Sequence, residues 1–284
     1  MIKVQSLDFT YKNTGKEALA DLDFHIDTGE VFGFLGPSGA GKTTTQRIII
    51  GLLRGYKGSV QVFGKERRDW GKEFYERVGV AFDFPNLYTK LSAYENLKLI
   101  GSYYQSRDQN IEELLDHVGL LPERDKKVEG FSKGMKMRLN FIRSILHNPD
   151  LIFLDEPTSG LDPVNAKIIK DKILQMKAEG KTIFLTTHNM TVAEQLCDRV
   201  GFINEGALSV VDSPKNLMVK YGEAKVRVEY LQENTWKDLT IPLTELRNSQ
   251  EFLEIVKTCQ VKTIHSLEAT LEDVFIQLTG RTLK

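Results

Sequence analysis

Cysteine is nearly absent: only Cys197 and Cys259 occur in 284 residues, with no C-x-x-C pair or ligand spacing around either. That argues against a disulfide framework or a zinc site and fits a reducing compartment. Long apolar runs are also missing. None approaches the roughly 18 residues needed to span a bilayer, and Met1 opens into a strand pattern rather than a basic, apolar leader. The chain therefore reads as soluble and not secreted. An excess of one charge is lacking too. A net charge of −1 with 27% charged residues leaves no basic field for nucleic acid or an anionic membrane, so any membrane contact must be local or through a partner. There is no internal repeat or low-complexity tract. A hydrophobic content of 41% is ample for the core of one large or two modest domains.

What is present centres on Val31 to Leu53, VFGFLGPSGAGKTTTQRIIIGLL: an apolar run, a glycine-rich turn and a helical pattern. It fits G-x-x-x-x-G-K-[ST] at Gly36, Gly41, Lys42 and Thr43, in the strand–turn–helix context that a phosphate loop requires. Glycines at 36, 39 and 41 let successive N–H groups point at one anion, and the helix N-terminus adds partial positive charge. Gly36, Pro37, Ser38, Gly39, Ala40, Gly41, Lys42, Thr43 and Thr44 are thus expected to cradle a triphosphate. Lys42 reaches its outer phosphates, and the Thr43 hydroxyl takes one position on magnesium.

IKVQSLDFTY and EALADLDFHI alternate at period two and predict antiparallel strands joined by a turn at Lys12 to Lys16. GSVQVFG and RVGVAFD predict two more, separated by KERRDWGKEFYE, which reads as a solvated connection. From Phe84 to Asn148 the pattern is helical. It includes a capping box at Ser92 and Glu95, a helix over Ile111 to Val118, and a helix opened by Ser132 and stopped before Pro149. Sheet signals resume with LIFLD; Asp162 and Pro163 then start a helix closed by Gly180. TIFLTTH is another buried strand, Thr191 and Glu194 predict a second capping box, and RVGFINEG and ALSVVD are further strands. The core is expected to end near Ser213 to Gly222. Beyond it KVRVEY and LTIPL read as strands, and SQEFLEIVKT and LEDVFIQLTG as helices.

LIFLDEP ends a buried strand with Asp155 and Glu156 pointing opposite ways, at the strand's carboxyl end where ligands of open α/β sheets collect. Asp155 is the expected magnesium partner. Glu156 is placed to orient or deprotonate an attacking water. His188, at the end of TIFLTTH, is expected to donate to the γ-phosphate.

Together these residues resemble the ATP-binding subunits of ABC transporters over roughly residues 1 to 220. The resemblance implies an α/β fold: a P-loop NTPase core with a mixed sheet, an N-terminal antiparallel β-subdomain and a helical subdomain inserted at about 84–148. A small C-terminal α+β appendage follows at 221–284. It implies ATP hydrolysis with magnesium, with Glu156, His188 and Lys42 catalytic and Thr43, Asp83 and Asp155 at the metal. Tyr11 takes the place of the aromatic that stacks on adenine. Phe131 to Met135 resembles the family's Leu-Ser-Gly-Gly-Gln signature, with Ser132, Lys133 and Gly134 completing the nucleotide site of a facing subunit. Ser159 to Asp162 resembles the loop through which two such subunits touch. Function then implies a dimer, most simply of identical subunits, and a membrane-spanning permease docked at the helical insert and at Asp83 to Leu91. The chain would lie on the cytoplasmic face of the cell membrane through that partner. Asp83 departs from the family, standing where most members have glutamine.

The tail LEDVFIQLTGR and the Ser-Lys-Gly signature resemble drug, antibiotic and polysaccharide exporters, which favours export over import. ABC ATPases acting on DNA carry a long coiled coil, and those acting on ribosomes carry tandem phosphate loops; neither is present, and no nucleic-acid partner is expected. A small-molecule kinase would leave the signature and His188 unexplained.

Overall fold

The computed structural model describes residues 1–12, 15–105 and 110–280, which form two compact units, Met1–Asp212 and a second beginning at Ser213. In the first unit the strands are β1 (Ile2–Thr10), β2 (Glu17–Ile26), β3 (Val31–Leu35), β4 (Lys57–Val62), β5 (Lys65–Glu66), β6 (Val78–Ala81), β7 (Leu151–Asp155), β8 (Thr182–Thr187), β9 (Arg199–Asn204) and β10 (Ala207–Asp212). Its helices are α1 (Lys42–Ile50), α2 (Ala93–Gly101), α3 (Ile111–His117), α4 (Lys133–Ile145), α5 (Pro163–Ala178) and α6 (Met190–Leu196).

The period-two segments pair as expected, β1 antiparallel to β2 and β4, in a sheet of order β2-β1-β4-β5. Asn13 and Thr14 of the predicted turn lie outside the described residues; Tyr11 N–H donates to Lys16 O at 3.0 Å across it. The second sheet has the order β10-β9-β3-β8-β7-β6. It is parallel except for β10, which runs antiparallel to β9. β3, β7 and β8 are buried at every residue, which accounts for their unbroken apolar runs. Phe24, Phe32, Phe34, Phe153 and Phe184 form one chain of ring contacts at 5.4–6.2 Å. Truncating a buried phenylalanine costs about 3–5 kcal/mol, so this stack fixes where the sheet sits and hence where its strand ends meet.

The predicted caps hold at Ser92, Ser132 and Asp162. Ser92 and Glu95 make the reciprocal box at 3.1 and 2.8 Å, Ser132 Oγ accepts from Met135 N–H at 3.2 Å, and Asp162 caps α5 with Pro163 in its first turn. The Thr191–Glu194 box does not form. Asn189 caps α6 instead, its side chain accepting from Val192 N–H at 3.1 Å; the helix starts earlier, leaving Thr191 inside the first turn. KERRDWGKEFYE is likewise more than a solvated connection. It contributes β5 and buries Arg67 and Phe74. Arg67 donates from Nε at 3.1 Å and Nη2 at 2.6 Å to Ile50 O at the end of α1, a carbonyl with no partner inside the helix.

The second unit contains α7 (Pro214–Tyr221), β11 (Lys225–Gln232), β12 (Thr235–Pro242), α8 (Gln250–Thr258), β13 (Gln260–Leu267) and α9 (Leu271–Thr279). Its antiparallel sheet has the order β12-β11-β13, and Val226, Val228, Tyr230 and Ile255 form its core. α7 packs against α9, which draws the boundary to Asp212 rather than 220. β13 is unforeseen: a register shift opposite Glu229 and Tyr230 breaks the alternation by which a strand is read. Arg281, which closed the tail motif, lies outside the described residues.

Candidate active site

β3 delivers the chain into the glycine turn and α1 carries it away. Gly39 and Gly41 adopt φ of +79° and +114°, which favours glycine. Gly36 is required for another reason: a Cβ there would stand 2.2 Å from Ile203 O. Lys42 Nζ curls back over the loop, donating to Gly36 O at 2.5 Å and Pro37 O at 3.0 Å. Burial lowers the Lys42 pKa, while Glu156 and Asp155 act to raise it.

A cavity of about 410 Å³ opens over this loop. Ser38, Gly39, Gly41, Lys42, Thr43 and Thr44 form one wall; Asp83, Asp155, Glu156 and His188 form another. The strand order explains the meeting. β3, β8, β7 and β6 are successive neighbours, and the residues at or just past their carboxyl ends converge.

Both acids, at the end of β7, are held by hydrogen bonds from the end of β8 and the residue after it. Asp155 is buried, accepts a hydrogen bond from Thr186 Oγ1, and has its pKa raised, chiefly by burial. Glu156 has φ +49°, a conformation that costs a non-glycine residue energy and persists where surrounding contacts over-determine it. Those contacts are present. Its N–H donates to Thr186 O at 2.9 Å, Oε2 accepts from Thr187 Oγ1 at 2.9 Å, and Oε1 accepts from the His188 N–H at 2.9 Å. His188 Nδ1 lies 2.6 Å from the same Oε1. Thr186 and Thr187 were legible only as strand residues; their roles follow from the pairing of Asp155 with Thr186 across β7 and β8.

The loop after β6 is pinned at both sides of Asp83. Asn140 Nδ2, on α4, donates to Phe82 O at 2.8 Å, and Arg143 Nη1 to Asn86 O at 2.5 Å. Sequence reasoning missed both, since an asparagine and an arginine within a helix carry no distinctive signal. Tyr11 sits beside α1, its hydroxyl 3.0 Å from Thr44 Oγ1. Of the signature residues only Lys133 borders the cavity, its side chain lying close over Gly160; Ser132 and Gly134 are not among the lining residues. Ser159 is.

Thr43, Asp83 and Asp155, the residues expected at a metal, all line this one cavity and all offer oxygen donors. No group of three or more His, Cys, Asp or Glu side chains forms a cage among the described residues. That suits a hard cation that keeps waters and takes substrate phosphates as ligands, as magnesium does. Among the described residues no helix is long and apolar enough to cross a membrane.

Residues 19–159 match the family described as ABC transporter. The fluoroquinolones export ATP-binding protein of Mycobacterium tuberculosis is 46% identical over 284 residues, covering 100% of this chain and 94% of that protein. A Nod factor export ATP-binding protein I of Paraburkholderia xenovorans is 34% identical over 297 residues, covering 98% and 97%. The bacitracin transport ATP-binding protein of Bacillus licheniformis is 39% identical over 210 residues, covering 72% and 68%. Among solved structures, an ATP-binding subunit of an ABC transporter superposes with a TM-score of 0.71 at 28% identity, covering 78% of this chain and 93% of its own. A dimeric ATP-binding cassette in a post-hydrolysis state with ADP and Pi gives 0.69 at 26% identity, covering 75% and 98%.

Proposed function

The chain belongs to the ABC transporter ATP-binding subunits, and we propose that it hydrolyses ATP to drive an exporter, pairing with a second subunit and docking on a separate membrane-spanning permease. The observation that carries this reading is Glu156, fixed in a strained backbone by His188, Thr186 and Thr187 at the cavity over the phosphate loop.

The loop amides and Lys42 bind the triphosphate, and Lys42 exchanges its contacts with Gly36 O and Pro37 O for phosphate oxygens. Glu156 takes the proton of, or orients, the attacking water; such a positioned base contributes about 10²–10⁴ in rate. Thr43, Asp155 and Asp83 are the residues that would hold magnesium, which when bound offsets phosphate charge. Tyr11 lies beside α1, in place to border the base. Ser132 and Gly134 serve the nucleotide of the facing subunit, a role favoured by their absence from this chain's own cavity, whereas Lys133, assigned to the same role, borders that cavity as well.

Export is supported by the fluoroquinolone and Nod factor export relatives. Docking on a permease is supported by the exposed apolar side chains Leu52, Phe84, Tyr88 and Tyr103, just past the end of α1, on the loop that begins the insert and in the turn after α2; such apolar exposure marks interaction sites. A cytoplasmic location at the membrane follows from that partner.

The test is the state of Glu156→Gln protein in size-exclusion chromatography. With ATP and magnesium it should elute as a dimer and with ADP as a monomer. Monomer in both conditions overturns the ATP-driven pairing.

A further inference from the structure

A second cavity, of about 260 Å³, opens at the end of α1 remote from the phosphate loop. Three guanidinium groups line it, those of Arg54, Arg67 and Arg68, and no carboxylate does. Arg67 is buried, yet its hydrogen-bond acceptors are the neutral oxygens of Ile50 and Tyr75; the Phe74 ring lies 3.9 Å from it, and the exposed Glu73 acts on it electrostatically without a hydrogen bond between them. Arg68 lies 4.1 Å over the Tyr56 ring. It pairs with Glu66 at 3.9 Å and donates to Tyr56 O at 2.8 Å, which leaves Arg54 and Arg67 as the guanidinium groups of this wall with no directly bonded acid among the described residues. The carboxyl end of α1 contributes only about half a negative charge. Burying a cation without a directly bonded anion is costly, and burial lowers the Arg67 pKa. The remaining wall is apolar, from Ile48, Leu53 and Trp70.

We propose that this cavity is a second ligand site, separate from the nucleotide cleft, for a small organic anion carrying a phosphate or carboxylate on one flat apolar ring. The charge deficit calls for an anion, and guanidinium forks match both head groups. Trp70, Leu53 and Ile48 supply the face for a ring. The volume falls just below the roughly 300–1,000 Å³ of drug-sized pockets, so one ring fits and a nucleotide does not. Gly51 builds the site against α1: a Cβ there would lie 2.1 Å from Arg67 Nη2.

The probe is phenyl phosphate, added to full-length Trp236→Phe protein saturated with ADP, so that the phosphate loop is filled and Trp70 is the one remaining tryptophan of two. Trp70 fluorescence should change saturably with phenyl phosphate and stay unchanged with phenol. The Arg54→Gln/Arg68→Gln double variant should weaken binding by about tenfold or more, as expected for lost charge-assisted contacts. Leu53→Phe, which narrows the cavity and keeps every arginine, should weaken it as well. Lys42→Ala should leave it unchanged. No saturable change, an equal response to phenol, or a loss in Lys42→Ala with retention in the arginine variant overturns the proposal.

Discussion

His188 Nδ1 lies 2.6 Å from Glu156 Oε1, and the backbone N–H of His188 donates to the same oxygen at 2.9 Å. A neutral ring donating from Nδ1 keeps only a lone pair at Nε2. Donation from Nε2 to a γ-phosphate therefore requires the imidazolium, a condition that the sequence did not disclose. The pair acts as one unit, and its variants test it together. Glu156→Gln should lower kcat by about 10²–10⁴ with ATP affinity retained. His188→Ala should lower it less, because Thr187 Oγ1 and the backbone N–H still hold the carboxylate. Phosphate release near the wild-type rate in Glu156→Gln removes Glu156 from the mechanism.

Nucleotide affinity is the readout that tests Lys42. Lys42→Ala should weaken ATP by about tenfold or more, the loss of a charge-assisted contact. Burial depresses the lysine pKa, so its charge is lost at lower pH than that of a free lysine. ATP affinity should accordingly fall as the pH rises toward the alkaline range, earlier than an ordinary lysine would dictate. Calorimetry giving equal affinity for Lys42→Ala contradicts this assignment.

Asp155 has a folded-state pKa raised above its unfolded value, mainly by burial. The stability this provides is complete below the unfolded pKa and is lost as pH rises through the folded one. Above its unfolded pKa the desolvated carboxyl therefore costs the nucleotide-free protein stability. Asp155→Asn should melt higher than wild type at pH 7, with the difference shrinking in acid, while the magnesium-dependent part of its ATP affinity declines. Thermal melts without nucleotide at both pH values check the sign; a lower melting temperature at pH 7 refutes it.

Asp83 lines the cavity and adds to the field that raises the Asp155 pKa. A carboxylate beside a triphosphate is tolerable chiefly when metal offsets its charge. Asp83→Gln should narrow the gap between ATP affinities measured with magnesium and with chelator. An unchanged gap places Asp83 away from the metal.

Ser132→Arg should abolish hydrolysis and spare ATP binding by the monomer. Mixed with Glu156→Gln protein, it should yield trapped asymmetric dimers. Loss of monomeric ATP affinity as severe as in Lys42→Ala excludes the composite site.

The phosphate loop and the acids at the end of β7 were legible because each is a short local pattern tied to a buried strand. Ser92, Ser132 and Asp162 were legible for the same reason: a cap bonds within its own first turn. Contacts that bridge distant segments were not. Nothing in KERRDW announces that Arg67 will satisfy Ile50 O, and nothing in TTH says that Thr186 will face Asp155. Asn189 won over Thr191 because both are competent caps and only the exit of β8 decides between them. β13 was hidden by a bulge, which removes the very periodicity that identifies a strand.

β3 is paired with β8 on one side and β9 on the other, both of which follow it by more than half the length of the first unit. During synthesis the strand that leads into the phosphate loop thus has neither neighbour until Thr182–Thr187 has left the ribosome, and such non-local pairing is intrinsically slow. Glu156 is likewise without its Thr187 and His188 contacts until then. The wall of the cavity that carries Asp155 and Glu156 therefore acquires its β8 contacts only late in synthesis.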